Sequence, residues 1–145
     1  MAIDENEGYL FVACQEGKLV LMDINNDGYQ MTSQNFGGGL DFVAYNPNLH
    51  HVYLPSSASG LVAMFQLQKL LVNPETIDMP GTPRVSPTAA SPDFKISLLL
   101  LGTADTDINA KCVTTDENNN IWVCDPKNGQ VFIIHDEFSD LGRIP

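Results

Sequence analysis

Three segments of the chain share one order of polar and hydrophobic positions. Each opens with a polar residue, continues into a hydrophobic run, passes a turn with an aligned glycine, and closes in a second hydrophobic run. The opening residues are Asp4, Asn46 and Asp116, the first runs are Leu10–Val12, Val52–Leu54 and Ile121–Val123, the glycines are Gly17, Gly60 and Gly129, and the second runs are Leu19–Met22, Val62–Phe65 and Val131–Ile134. Repetition of this kind predicts an array of equivalent supersecondary units.

The hydrophobic runs are short and are bounded by Asn, Asp, Gly and Pro, which is typical of β-strands. We predict eleven or twelve strands. They are Ala2–Asp4, Tyr9–Ala13, Lys18–Asp23 and Tyr29–Gln34 in the first unit, Leu40–Tyr45, His51–Leu54, Leu61–Leu67 and Phe94–Leu101 in the second, and Ala110–Thr115, Ile121–Cys124 and Gln130–His135 in the third. A fourth strand of the third unit would come from Phe138–Pro145 or from another chain. Gly37–Gly39 fits a close crossover from the first unit into the second.

The predicted fold is all-β, with about three four-stranded antiparallel β-propeller blades in a single domain over residues 1–145. Closed propellers typically have about four to eight blades, so three blades alone would expose two apolar faces. Two copies could close a six-bladed ring by two-fold symmetry. Alternatively, the chain is a fragment of a larger propeller, whose remaining blades lie elsewhere. We favour the half-ring, and therefore a homodimer.

Residues 73–93 interrupt the repeat. They contain Pro74, Pro80, Pro83, Pro87 and Pro92, and proline cannot donate a hydrogen bond to a β-ladder. We predict a Pro-rich inserted loop in the second blade. It could be a surface excursion, an arm that grips a neighbouring subunit, or a lid over a ligand.

The charge of the chain restricts its partners. Eighteen acidic residues against seven basic ones give a formal net charge of −11. This balance argues against binding of nucleic acid and of an anionic membrane surface. The first residues lack the basic and apolar regions of a signal peptide, and an apolar run such as Leu98–Leu101 is far too short to span a bilayer. We expect a soluble, acidic protein without a signal peptide in this sequence.

The three cysteines are Cys14, Cys112 and Cys124, without a C-x-x-C spacing. This pattern does not indicate a zinc site or a disulfide framework. Cys112 and Cys124 lie in apolar strand patterns, so we expect them to be buried small hydrophobic residues. A Cys112–Cys124 bridge is the alternative, because hairpin strands bring such side chains close together.

One segment has the spacing of a calcium-binding loop. Asp23, Asn25 and Asp27, followed by Gly28, read D-x-N-x-D-G, which places oxygen ligands at positions one, three and five. The twelfth position is Gln34 instead of a glutamate, and the segment lies between two predicted strands. A hairpin turn explains the same residues. We therefore expect no obligatory cofactor, with calcium as the possible ligand.

Other candidate residues follow from the blade geometry. The first strand of each blade lines the central channel, where Asp41 and Lys111 occupy equivalent places, and Asp105 and Asp107 could add carboxylates at a channel mouth. The recurring Asp4, Asn46 and Asp116 are expected to form structural turns. His50 and His51 are adjacent in a strand and should point to opposite faces. Motifs of serine hydrolases, P-loops and zinc proteases are absent from the sequence.

Two stretches resemble a known family. The segment Ala2–Asp23, with its L-F-V-A-C and G-K-L-V-L motifs, and the segment G-G-G-L-D-F-V-A-Y-N-P from Gly37 to Pro47 resemble the YVTN-type, lactonase-like β-propeller proteins of bacteria and archaea. The segment Asp116–His135 is similar to NHL- or SMP-30-type blades. The resemblance implies a propeller, and its relatives include scaffold proteins and enzymes of the gluconolactonase and streptogramin-lyase type.

Two hypotheses on function follow. The first is a non-enzymatic binding or assembly module that completes its ring by self-association. The alternative is a metal-dependent lactonase- or lyase-like hydrolase with a site at the propeller channel, for which Asp41, Asp105 and Asp107 are the candidate residues.

Overall fold

The computed structural model describes residues 1–72 and 93–138 and contains eleven β-strands in that part of the chain. The strands are β1 (Ala2–Asp4), β2 (Tyr9–Cys14), β3 (Lys18–Asp23), β4 (Tyr29–Asn35), β5 (Ala44–Asn46), β6 (His51–Ser56), β7 (Leu61–Val72), β8 (Asp93–Asp105), β9 (Cys112–Thr115), β10 (Asn120–Asp125) and β11 (Gln130–His135). Across these ranges there is no helix long and apolar enough to cross a membrane. The predicted insertion at 73–93 lies outside the described residues, except that Asp93 begins β8.

The strands form three antiparallel sheets in which chain neighbours are sheet neighbours. The sheet orders are β1-β2-β3-β4 (blade 1), β5-β6-β7-β8 (blade 2) and β9-β10-β11 (blade 3). The blades stand side by side, since β5 contacts both β1 and β9, and β8 contacts β4. This is the arrangement of consecutive β-propeller blades, as the repeat predicts. The fourth strand of blade 3 was expected from Phe138–Pro145 or another chain; Phe138 is not in a strand, and residues 139–145 lie outside the described part.

Several predicted strand boundaries were wrong. β5 begins at Ala44 instead of Leu40, because the chain before it is an irregular crossover in which the Gly39 amide donates to the Gln15 carbonyl (3.2 Å). β9 begins at Cys112 instead of Ala110, because the Ala110 amide closes a turn onto Asp107.

β7 and β8 are also longer than predicted. β7 ends at Val72 and β8 runs from Asp93 to Asp105, because their ladder is paired from Leu61 with Asp105 to Val72 with Asp93. The other strands that differ are extended by one or two residues, to Tyr9–Cys14, Tyr29–Asn35, His51–Ser56 and Asn120–Asp125.

The hydrophobic core forms two layers, each between neighbouring blades. The layer between blades 1 and 2 includes Phe11, Leu19, Leu21, Tyr45, Val52, Leu54, Phe65 and Leu67, and the layer between blades 2 and 3 includes Ala44, Tyr53, Val62, Met64, Ala110, Ile121 and Val123. Full burial of one such large side chain contributes about 1.5–3 kcal/mol. Because successive strand residues point to opposite faces, blade 2 supplies both layers from the same strands. The blades are therefore held together by face-to-face packing.

The expectation for two of the cysteines was wrong. Cys112 and Cys124 are partly exposed and are joined by a disulfide, with their Cα atoms 5.1 Å apart. They are directly paired across β9 and β10, so their side chains lie on one face of the sheet at a separation usual for disulfides. Cys14 is the free cysteine.

The disulfide predicts the number of reactive thiols. In denaturant without reductant, one thiol per chain should react with a thiol reagent, because only Cys14 is unpaired; three should react after reduction. A Cys14→Ser variant should give none before reduction and two after it. Three reactive thiols in the unreduced wild-type protein would contradict the pairing.

Candidate functional site

A cluster of buried polar side chains lies between blades 2 and 3. Asp136, just after β11, accepts hydrogen bonds at Oδ2 from the Tyr53 hydroxyl (2.6 Å) and faces His51 Nδ1 at 2.6 Å. His51 Nε2 lies 2.9 Å from Gln66 Oε1. His51, Tyr53 and Gln66 are 0% exposed and Asp136 is 3% exposed. Because the cluster is enclosed, its chemical role in this structure is to fasten the end of blade 3 onto blade 2.

The electrostatics of the cluster agree with this role. Burial raises the pKa of Asp136, but the hydrogen bonds of His51 and Tyr53 outweigh burial, so the net shift is downwards and the carboxylate is the favoured form. The pKa of Tyr53 is raised far above its ordinary value by burial and by the Asp136 carboxylate. Tyr53 therefore keeps its proton and donates a hydrogen bond to Asp136. The backbone amide of Phe138 also donates a hydrogen bond to Asp136 Oδ1 (3.0 Å).

The recurring polar residues close the turn after each first strand, as predicted. Asp4 Oδ1 accepts the backbone amides of Asn6 and Glu7. Asn46 and Asp116 accept backbone amides in the same way, from Asn48 and Leu49 and from Asn118 and Asn120, respectively.

Two of these side chains also reach the following blade. Asp4 Oδ2 accepts the Tyr45 hydroxyl of blade 2 (2.9 Å), and the Asn46 amide donates to Asn119 Oδ1 of blade 3 (2.9 Å). The turn residues therefore add polar contacts to the apolar layers between blades.

Asp116 makes the stability of the fold sensitive to acid. Hydrogen bonds from the side chain and backbone of Asn120 lower the pKa of Asp116 from 3.8 to about 2. A carboxyl group with a lowered folded-state pKa contributes stability that is present above its unfolded pKa and is lost as the pH falls towards the folded value. The urea midpoint should therefore fall between about pH 4 and pH 2.

The control for this effect is Asp116→Asn. Asn46 forms the same turn in blade 2, so the variant should keep the backbone turn. It removes the titrating group together with the hydrogen bonds that Asp116 Oδ2 accepts from the Asn120 side-chain amide and the Trp122 indole, which lowers its urea midpoint at every pH. Its urea midpoint should fall less steeply over the same pH range. An unchanged slope would show that Asp116 does not carry the effect.

The predicted calcium ligands lie in the turn between β3 and β4. Asp23 Oδ1 accepts the Asn25 amide (2.9 Å), and the Asn25 side chain donates to the Glu7 carbonyl at 3.5 Å. Asp27 has φ +50° and is followed by Gly28 at φ +72°. These are hairpin-turn contacts, and calcium binding by Asp23, Asn25 and Asp27 stays a prediction.

The channel candidates Asp41, Lys111, Asp105 and Asp107 stay predictions. Asp41 and Asp105 are exposed and Lys111 is half-buried. Asp107 Oδ2 accepts a hydrogen bond from Gln130 Nε2 (2.7 Å), and Gln130 also donates to the buried Asp125. Within residues 1–72 and 93–138, no group of three or more His, Cys, Asp and Glu side chains could hold a metal ion.

A cavity of about 660 Å³ lies at the outer rim, between β4 and the ends of β7 and β8. Its lining includes Tyr29, Met31, Gln34 and Phe94. Gln34 Nε2 donates to the Leu98 carbonyl (3.1 Å) and links the outer strands of blades 1 and 2. The Lys69 ammonium lies 4.8 Å from the centre of the Phe94 ring.

The two ends of the blade stack expose apolar surface. We call the face of a blade that points to the next blade along the chain its leading face, and the opposite face its trailing face. The leading face of blade 3 carries Trp122, Val131 and Ile133, and the latter two are 57% and 59% exposed. An open apolar depression of about 410 Å³ on this face is lined by Trp122, Val131, Thr114 and the disulfide.

The trailing face of blade 1 is the other end of the stack. Leu10, Val12, Val20 and Met22 are cross-strand neighbours on β2 and β3, and each is partly exposed. Ile3 on β1 pairs with Leu10 and is 48% exposed. Apolar surface that is contiguous and uncovered marks an interaction site more often than scattered exposed residues do. The end faces are therefore the surfaces with the clearest capacity to bind a partner.

Comparison with known proteins returns structural similarity only. No protein-family model matches the sequence, and a search of curated proteins found no significant match. Among solved structures, the chain is similar to apo AztD from Citrobacter koseri (11% identity, TM-score 0.48, 86% of this chain and 33% of that chain). It is also similar to the β-propeller domain of Cps50 (Swd1) from Myceliophteria thermophila (12% identity, TM-score 0.48, 88% of this chain and 37% of that chain). The chain thus spans about a third of these solved chains. The resemblance to YVTN-type and lactonase-like proteins stays a prediction.

Proposed function

We propose that this protein is a non-enzymatic β-propeller assembly module that completes its ring by self-association. The observation that carries the proposal is that both end faces of the three-blade stack are apolar and partly exposed. Within a propeller, such faces are covered by neighbouring blades. Two copies supply six blades, which lies inside the usual range of about four to eight for closed rings, and two-fold closure is the commonest oligomeric symmetry.

The chemistry of the described residues supports an assembly role better than a catalytic one. The best-connected polar cluster, around Asp136 and His51, is buried between blades. The hydrolase alternative depends on Asp41, Asp105 and Asp107, which the structure does not gather into a metal-binding group. In this proposal the end faces serve to complete the ring, and the binding function belongs to the surface of the completed ring.

Light scattering coupled to size exclusion tests the proposal. The expected mass is twice 15.9 kDa. Because each copy carries a formal charge of −11, the dimer should become more stable as salt screens the repulsion. A mass of 15.9 kDa at every protein and salt concentration would overturn the proposal.

A further inference from the structure

The strand pairing assigns equivalent positions in the three blades. Phe11, Tyr53 and Trp122 each occupy the position on the second strand that pairs with the first strand at Ala2, Ala44 and Thr114, respectively. They also pair with the third strand at Leu21, Met64 and Ile133, respectively. Each blade therefore presents one aromatic side chain at the same point of its leading face.

At both internal interfaces this aromatic side chain is fully buried against the next blade. Phe11 is 0% exposed, and its ring stacks on Tyr45 of blade 2 with the ring centres 4.7 Å apart. Tyr53 is 0% exposed and packs in the core layer that contains Ile121 and Val123 of blade 3. Trp122 has the same position on blade 3, where it lines the open depression of the leading face.

The trailing faces repeat as well. The residues on either side of the aromatic position are Val52 and Leu54 in blade 2 and Ile121 and Val123 in blade 3, and all four are 0% exposed because the preceding blade covers them. Their equivalents in blade 1 are Leu10 and Val12, which are partly exposed. Blade 1 thus has aliphatic side chains at the second-strand positions that are covered in the other two blades, with no blade of the described chain against them.

A further repeated position is also buried in blades 2 and 3 and exposed in blade 1. The amides of Ile24, Leu67 and Asp136 donate to the carbonyls of Gly8, His50 and Asn119, respectively, so these three residues occupy equivalent places in the three blades. Leu67 and Asp136 are buried at the internal interfaces, whereas Ile24 is 40% exposed.

We infer that the leading face of blade 3 binds the trailing face of blade 1 of a second copy, head to tail, with Trp122 in the place that Phe11 and Tyr53 hold at the internal interfaces. Trp122 packs against the aliphatic surface formed by Leu10, Val12 and Val20. Two copies form two identical junctions of this kind, which close the ring. This inference rests on the proposed self-association and adds its polarity and its contact residues.

The head-to-tail arrangement is favoured over a face-to-itself arrangement by the internal interfaces. Both of them join a leading face with a central aromatic side chain to a trailing face whose second strand supplies aliphatic side chains, Val52 and Leu54 in blade 2 and Ile121 and Val123 in blade 3. A contact between two leading faces would instead oppose two Trp122 side chains, and a contact between two trailing faces would leave Trp122 uncovered.

Mixing two variants tests this polarity. Trp122→Glu places a charge on the leading face, and Val12→Glu places one on the trailing face. In a head-to-tail ring, each variant alone has both junctions damaged and should run at 15.9 kDa, the mass of one copy. In an equimolar mixture, the intact leading face of Val12→Glu meets the intact trailing face of Trp122→Glu, so one sound junction forms and a dimer should reappear. Ile108→Glu, at an exposed position in the turn between β8 and β9, is the matched control and should remain dimeric.

Each result has a distinct meaning. Recovery of the dimer only in the mixture supports the head-to-tail junction. Dimers formed by either variant alone would overturn it and indicate face-to-itself contacts, while the proposed self-association would stand. Failure of the mixture to associate, with both variants folded by circular dichroism, would also overturn it. A monomeric wild-type protein would instead overturn the proposed function itself.

Discussion

Replacing Asp136 with alanine should lower the free energy of unfolding by about 3–5 kcal/mol, because removing one member of a buried charged hydrogen-bonding group leaves its partners desolvated and unpaired. The Tyr53 hydroxyl and the His51 ring both lie 2.6 Å from Asp136 Oδ2, and neither side chain is exposed. Water cannot take the place of the carboxylate without opening the interface between blades 2 and 3. Urea denaturation followed by circular dichroism measures the loss.

The matched control is Glu137→Ala. Glu137 is the next residue along the chain and is exposed, so its loss should change the free energy by no more than about 0.5 kcal/mol. Asp136→Asn should fall between the two, because its amide keeps one acceptor oxygen. A loss of less than about 1 kcal/mol for Asp136→Ala would show that the cluster does not fasten blade 3 to blade 2.

Gly17→Ala should be nearly as damaging, with an expected loss of about 3–5 kcal/mol. Gly17 has φ +96°, a conformation that side chains disfavour, and a β-carbon there would overlap the carbonyl oxygen of Gly37. That oxygen belongs to the crossover backbone, which is held against the same turn by the hydrogen bond from the Phe36 amide to the Gly17 carbonyl (2.8 Å). The substitution therefore forces two backbone segments apart.

The repeat supplies the control for this variant. Gly129 is the aligned glycine of blade 3 and also has positive φ (+66°), but a β-carbon there would meet nothing within 4 Å. Gly129→Ala should cost only the backbone strain, about 1–2 kcal/mol. Equal losses for the two variants would mean that the close approach of the crossover contributes nothing.

The fold could be predicted because its signals are local and repeated. Short apolar runs, turn residues and glycines recur in register, so β3 and β11 were predicted to the residue. Two of the boundaries that failed depend on contacts far along the chain. The crossover before β5 is held by the turn after β2, and the length of β7 is set by its pairing with β8. The disulfide required the register of β9 on β10, which composition does not give.

The buried cluster could not be predicted from spacing, because His51 and Asp136 are 85 residues apart. A signal was present in the repeat all the same. At the facing positions of blades 1 and 2, the chain has Tyr9 and Leu67, both apolar and buried. Blades 2 and 3 have His51 and Asp136 there instead. Paired departures from a repeat at facing positions therefore indicate a polar contact between units.

The emission of Trp122 during dilution tests the central claim most directly, because this residue is the single tryptophan of the chain and lies on the leading face of blade 3. If a second copy covers that face, dilution should shift the emission to longer wavelength and increase acrylamide quenching, with the same midpoint as the fall in mass measured by sedimentation. Emission and quenching that stay constant while the mass falls, or a mass that never exceeds 15.9 kDa, would contradict closure of the ring through this face.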